Sequence, residues 1–410
     1  MDSSPSTAKS ASRISAVTLA IYLTASVTAL PAAAVILPLL VSGLVLAWSG
    51  EAGGFIRAKR ESFAAIVLFF ISYMISTVLS YNVRDSLDAC LVLFPGLLIA
   101  YIFGHLAFQH HRIVCWGIAG MVLSASLTTL WMFLESPSSD PGKVFMAGKT
   151  PSLVVANDMV LGVIFSPVII YLLMTEKRPL LKLFLAFVLL TLVISLYFVK
   201  SRICFLTAAF IFTLYLYHYF RRNFLGWLAA SAGIIFLVDH LLGLNILIEF
   251  MLISQQNARL SIWYAGLTSA FDHPIFGFGP AMFYMAYEQT MSTASFPEWM
   301  MVDQRTVPWA HNLYLDALVE RGLVGFLALL YVVIKVYTPL VRYARDASGR
   351  VKQLEFAVYA SFIGFLFAGF FELSMQRIWV ANAFFMFVGF ALFKANSIIG
   401  RPHKDTPRRQ

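Results

Sequence analysis

The stretch Ile14–Gly50, ISAVTLAIYLTASVTALPAAAVILPLLVSGLVLAWSG, runs for 37 residues without an Asp, Glu, Lys or Arg. As one α-helix it would be about 55 Å long, against a bilayer hydrocarbon core of about 30 Å. One span cannot use that length, and Pro31 supplies a break, so the stretch reads as a hairpin of two membrane-crossing helices. Lys9 and Arg13 ahead of it, and the Ala-rich sequence after Pro31, have the form of a secretory signal. The apolar run nevertheless continues to Trp48 with no polar mature region, which favours an uncleaved hairpin.

The rest of the 410-residue chain repeats this character: 60% of its residues are hydrophobic and 12% are charged. A soluble domain carries about 25% charged residues, so these charges are too sparse to coat two or three soluble domains. Ten further apolar runs, at about 62–80, 89–108, 113–133, 153–174, 180–199, 203–219, 224–242, 312–334, 354–375 and 378–395, bring the expected total to twelve spans. The fold class is therefore all-α, a polytopic integral membrane protein, and the long apolar runs exclude an outer-membrane barrel of short alternating strands. The whole chain, 1–410, is expected to form one transmembrane domain.

The net charge of +9 is an uninformative sum until the basic residues are divided by side. Twenty-one lie in one set of connecting segments, including Arg57, Lys59, Arg60, Lys177, Arg178, Lys182 and the tail from Lys394. Nine lie in the other set: Arg84, Lys143, Lys149, Lys200, Arg202, Arg259, Arg305, Arg321 and Arg377. By the positive-inside rule the first set is cytoplasmic, and both termini are inside. The outer side then has a Ser/Pro/Gly-rich loop at about 134–152 and a large loop at 243–311, between spans nine and ten. Within the large loop, Asn257–Ala270 reads as an amphipathic helix at the membrane surface, with Leu260, Trp263, Ala265 and Leu267 as its apolar residues.

The outer basic residues carry the first chemical signal. Lys200 and Arg202 flank a turn of about three residues, Arg377 sits in another tight turn, and Arg259 opens the surface helix. Basic groups at the edge of an apolar bundle need partners. Snorkelling to lipid phosphate would account for any one of them; together they suggest an anion pocket for a phosphate or diphosphate. A second signal is Val307-Pro-Trp-Ala-His-Asn-Leu-Tyr-Leu315, followed by Asp316-Ala-Leu-Val-Glu-Arg-Gly322 and Gly325. His311 enters a long apolar helix, where the dipole favours a neutral imidazole able to accept a proton; a structural cap is the alternative. Asn312 can orient a sugar hydroxyl, and Asn157 can contact sugar or cap a helix. Asp316 and Glu320 read as structural. The outer side contains no metal-ligand spacing and the chain has no nucleotide-binding loop, so neither a metal nor a cofactor is expected, and nucleic acid is not an expected partner. Cys90, Cys115 and Cys204 all fall within apolar runs and read as packing residues.

These motifs resemble the O-antigen ligase family, within a superfamily that also holds O-antigen polymerases. The family pattern is His, then Asn, Ser or Gln, nine residues, Gly, two residues, then Gly, Thr or Tyr; His311-Asn312, Gly322 and Gly325 satisfy it. Arg202 with Leu206 matches a second pattern, and Arg259-Leu-Ser-Ile-Trp263 with Pro274-Ile-Phe-Gly-Phe-Gly279 is similar to the superfamily's loop segment. The resemblance implies transfer of a glycan from undecaprenyl diphosphate to lipid A–core oligosaccharide at the periplasmic face of the bacterial inner membrane. It further implies His311 as general base and Arg202, Arg259, Lys200 and Arg377 on the diphosphate. The alternatives are a polymerase, whose acceptor is a second polyprenyl-linked glycan, and a transporter of lipid-linked sugars. A polymerase would tend to carry a second arginine-rich outer loop, and a transporter would want charge near the bilayer midplane.

Overall fold

The computed structural model describes residues 5–26, 32–48, 60–91, 93, 95–100, 102, 110–135, 159–199, 201–241, 259–304, 306–345 and 353–399. Among these residues the structure is all helical. Its main helices are α1 (Pro5–Ala25), α2 (Ala32–Trp48), α3 (Arg60–Val78), α4 (Val83–Leu91), α5 (His111–Glu135), α6 (Val160–Thr175), α7 (Pro179–Val199), α8 (Arg202–Tyr219), α9 (Phe224–Leu241), α10 (Arg259–Ala270), α11 (Phe283–Thr293), α12 (Leu313–Arg345), α13 (Gln353–Gly369) and α14 (Ile378–Ile399). The charge-free stretch is indeed divided between α1 and α2. Ser15 Oγ donates to Ser42 O at 3.0 Å and Ser42 Oγ to Ser15 O at 2.9 Å, a buried reciprocal pair joining the two helices.

Segments His111–Trp131, Pro179–Val199, Arg202–Tyr219 and Leu313–Arg342 are long and apolar enough to cross a membrane; shorter apolar helices, including Val160–Thr175 and Gln353–Gly369, accompany them. The outward residues of α7 are themselves apolar, with Leu183, Leu190 and Val193 all exposed. A helix that is hydrophobic all round belongs in a nonpolar solvent, and the chain is a multi-pass membrane protein. The bundle core is strongly aromatic, Phe165, Phe362, Phe365, Phe384 and Phe387 packing together where α6, α13 and α14 meet.

Residues 259–311 fold as a small unit on one end of this bundle. Ile262, Ala265, Phe278, Met282, Phe283, Tyr287, Val307 and Ala310 form a second core with Leu315 and Val319 of α12. α10 buries Ser261, Ile262, Ala265, Gly266 and Ser269 against the protein and exposes Leu260 and Leu267 on its other face. Small residues occupy that inner face because α10 packs closely on α11 and α12, while Gly266 leaves little room for more: a Cβ there would stand 3.0 Å from Leu315.

The helix expected to run unbroken from residue 312 is interrupted at Gly322, which has φ 62° and ψ −166°. In a continuous helix the carbonyls of Val319 and Glu320 would accept from the amides of 323 and 324. Here Val319 O accepts from Phe278 N at 3.0 Å and Glu320 O from Gly279 N at 2.8 Å. The released amides donate to the same loop, Leu323 N to Pro274 O at 2.8 Å and Val324 N to Ile275 O at 3.2 Å. Pro274–Gly279 thus fills the break and satisfies all four backbone groups. From α3, Ser76 Oγ adds bonds to Phe276 O at 2.8 Å and Glu320 O at 2.7 Å.

Gly322 is required on two grounds. Its φ is in the left-handed region, and a Cβ would lie 2.3 Å from the backbone carbon of Ile275. Gly322→Ala is expected to cost about 2–4 kcal/mol. Gly226→Ala, at an open helical site with nothing within 4 Å, should change stability by no more than about 1 kcal/mol. Thermal unfolding of the two variants in detergent checks the contrast.

Candidate active site

α12 begins just after an unusual residue. His311 has φ 51°, a left-handed conformation that costs a non-glycine residue energy unless its neighbours hold it. They do so on both sides of Ala310, whose amide donates to Asp316 Oδ1 at 2.6 Å and whose carbonyl accepts from Trp263 Nε1 at 3.0 Å. Asn312 then caps the helix, its Oδ1 accepting from the amides of Tyr314 and Leu315, each at 3.0 Å. That is the contact the structure gives Asn312.

The imidazole is turned toward Glu372. His311 Nδ1 lies 3.2 Å from both carboxylate oxygens. Arg259 Nη2 donates to Oε2 at 2.6 Å, and Arg377 Nη2 lies 3.6 Å from Oε1. The Glu372 side chain is 1% exposed, whereas those of His311 and Arg259 are 24% and 25% exposed. The carboxylate is therefore the buried floor, and the basic groups reach from it toward the surface. Arg377 also stacks on Trp309, its guanidinium carbon 4.4 Å from the ring centroid.

Glu372 was not foreseen. The apolar run expected over 354–375 ends as a helix at Gly369, and 370–377 forms a turn segment before α14. That segment carries both Glu372 and Arg377. The available signal was an acid at the outer end of an apolar run, where ionisable groups are costly and their default reading is functional. Trp309 lay in the quoted motif but had no assigned role.

Arg202 is the first residue of α8, close enough to Arg259 for their like charges to interact. Among the described residues no carboxylate pairs with Arg202. Like charges within electrostatic reach of each other are disfavoured, and an anion near both relieves that repulsion. Lys200 and Asn157 lie outside the described residues. The structure thus brings His311, Arg259 and Arg377 onto one carboxylate, with Arg202 beside Arg259.

With its Nδ1 proton directed at Glu372, His311 keeps the Nε2 lone pair for a reacting hydroxyl, the arrangement by which a carboxylate fixes the tautomer of a catalytic base. Arginines next to that base can hold phosphate oxygens in their planar forks. A histidine with arginines beside it has the chemical capacity to accept a proton next to a bound anion.

Residues 185–330 are similar to the O-antigen ligase family. The match is to the family model described as O-antigen ligase; it begins within α7 and ends within α12. It takes in Arg202, Arg259, His311 and the broken helix, and leaves Glu372 and Arg377 to the chain beyond it. No curated protein matches the chain. This likeness over about a third of the chain, together with the apolar helices, supports a membrane protein with glycosyltransferase activity of the O-antigen ligase or polymerase type.

Burial pushes the Glu372 carboxyl up, but the hydrogen bond from His311 and the charges of His311, Arg377 and Arg259 outweigh it and hold the group below the usual carboxylate range. A depressed acid contributes stability that is complete above its unfolded pKa and lost as the pH falls through its folded one. Glu372→Gln should therefore cost about 2 kcal/mol at neutral pH. The gap between the two proteins should close only below about pH 4, which melting curves across pH will measure.

Proposed function

We propose that the protein is an O-antigen ligase, transferring a glycan from undecaprenyl diphosphate to lipid A–core oligosaccharide during lipopolysaccharide synthesis. The observation that carries this reading is the meeting of His311, Arg259 and Arg377 on buried Glu372, with Arg202 alongside Arg259.

In this mechanism the acceptor sugar hydroxyl attacks the anomeric carbon of the donor glycan. His311 Nε2 takes the hydroxyl proton as the new C–O bond forms. The bond from the anomeric carbon to phosphate oxygen breaks, undecaprenyl diphosphate leaves, and the configuration inverts. Arg202, Arg259, Arg377 and Lys200 bind the diphosphate and stabilise the charge that grows on it. A diphosphate is already a good leaving group, so this chemistry requires neither a metal nor a cofactor. Glu372 orients His311 and both arginines it touches. Asn312, whose Oδ1 serves the helix cap, has its amide N–H to offer a sugar, and Asn157 is a further sugar contact.

The proposed topology has twelve spans across the bacterial inner membrane, both termini cytoplasmic, and residues 243–311 as a periplasmic loop between spans nine and ten within a single transmembrane domain. The uneven distribution of basic residues supports it. So does the grouping of the site residues at one end of the bundle, formed by the starts of α8 and α12, the 259–311 unit and segment 370–377. Leu260, Leu267, Phe271 and Ile275 are exposed on that unit, a surface suited to membrane lipid and to the polyprenyl tail.

Purified protein supplied with donor and two acceptors, lipid A–core and a second donor molecule, discriminates ligase from polymerase. Product on lipid A–core is expected, and elongation of the donor alone would overturn the ligase assignment. Under the same conditions His311→Ala should reduce turnover at least about a hundredfold while the protein remains folded. EDTA should leave the rate unchanged; loss of activity reversed by Mg²⁺ would contradict the metal-free mechanism.

A further inference from the structure

Behind the site, two carboxyls unused in that mechanism lie on one face of the first part of α12, four residues apart. Asp316 is 3% exposed and Glu320 is 3% exposed. Ion-forming groups so deep in an apolar bundle are costly unless they are bonded, and the bonds they make lead to the two sides of the His311–Glu372 contact. Asp316 takes the Ala310 amide at 2.6 Å, next to the strained backbone of His311, and Ser374 Oγ approaches the same carboxyl. Glu320 Oε1 accepts from Gln376 Nε2, and its carboxyl lies near the backbone of Ala281 and Phe283 at the start of α11.

Residues in segment 370–377 therefore divide into two groups. Glu372 and Arg377 face the site, while Ser374 and Gln376 face the carboxyls of α12. The chain holding the base and the chain holding its carboxylate partner are otherwise separate in sequence by 61 residues. Arg321, 2% exposed, packs against the opposite side, its guanidinium carbon 4.2 Å from the Tyr73 ring centroid.

We propose that Asp316 and Glu320 are positioning residues that set His311 against Glu372, Asp316 by fixing the backbone beside the histidine and Glu320 by holding segment 370–377 through Gln376. The proposal deepens the ligase reading and rests on it for the reaction concerned. Neither carboxyl touches substrate; both act through the geometry of the His311–Glu372 pair. A displacement of that pair lowers the rate of proton transfer. Asp316 acts mainly on the histidine side, through the Ala310 amide, so its effect falls on kcat rather than on the donor KM. Glu320 and Gln376 hold the segment that also carries Arg377, so their loss also raises the donor KM.

Asp316→Asn, Glu320→Gln and the milder Gln376→Leu test this in the full-length protein. Each is expected to lower kcat about tenfold to a hundredfold, with donor KM changed by less than about threefold for Asp316→Asn and raised for the two variants that loosen the Arg377 segment. A readout independent of any glycan chemistry is the rate at which diethyl pyrocarbonate modifies His311, followed by site-resolved mass spectrometry. In the variants this rate should depart from that of the unaltered protein and approach that of Glu372→Gln, with melting temperature little changed for Gln376→Leu. His311 modification identical to the unaltered protein in all three would overturn the proposal. So would a kcat loss that merely tracks a fall in melting temperature and disappears on cooling. If the ligase reading alone is wrong, transfer to lipid A–core is absent throughout but the modification pattern still follows Glu372→Gln.

Discussion

A break in a helix inside an apolar bundle strands backbone donors and acceptors where water cannot reach them, and each stranded group costs several kcal/mol. At Gly322 that constraint is met by four hydrogen bonds exchanged with Pro274–Gly279. The exchange fixes the 259–311 unit to α12 in one register, because a loop shifted by a residue would leave the same groups unpaired. Its consequence reaches the site directly. The same unit carries Arg259 at one end and Trp309 and His311 at the other, so anchoring its middle to α12 locates both ends.

Once the unit is anchored, the position of Glu372 becomes decisive. A buried carboxylate is tolerated only with cationic or hydrogen-bonding partners, and here they come from three separate regions of the chain: Arg259 from α10, His311 from two residues before α12, and Arg377 from the segment before α14. A single acid thereby does for the side chains what the loop exchange does for the backbone. Removing it would leave two guanidiniums to repel one another and the imidazole without its partner at the edge of a low-dielectric bundle.

The sequence made the bulk architecture legible because hydropathy and charge bias are strong, local signals. The division at Pro31, the helices around 111–135, 179–199 and 202–219, the helix beginning at Arg259 and a folded unit within the large loop all follow from them. His311, Arg259 and Arg377 were also recoverable, since each is a polar residue where an apolar setting makes it conspicuous. Glu372 was hidden for the opposite reason: the apolar run around it was read through to residue 375, and one acid near the end of a run does not alter its mean hydropathy. Nor does periodicity announce the break in α12, because the residues on both sides of Gly322 are good helix formers and only the loop's hydrogen bonds make the interruption stable. The face that α10 turns to the protein was not legible, because close packing selects small residues there, whereas sequence patterning weights large apolar ones.

The spacing His311-Asn312, Gly322, Gly325 gains a physical meaning from these contacts. The structural contacts of the three residues other than His311 are all with the protein's own backbone and packing. Asn312 supplies the cap that lets a helix start immediately after a left-handed residue, and Gly322 supplies the interruption one to two turns past the capped region. At Gly325 a Cβ would stand 2.2 Å from Arg321 Cβ, so that glycine allows the helix to resume against the buried arginine. The nine residues between Asn312 and Gly322 set the distance from the base to the break, and hence the height at which His311 stands above the loop that fills it. An insertion there would rotate His311 away from Glu372 by about 100° per residue. What looks like a catalytic signature is largely a specification of backbone geometry with one reactive side chain attached.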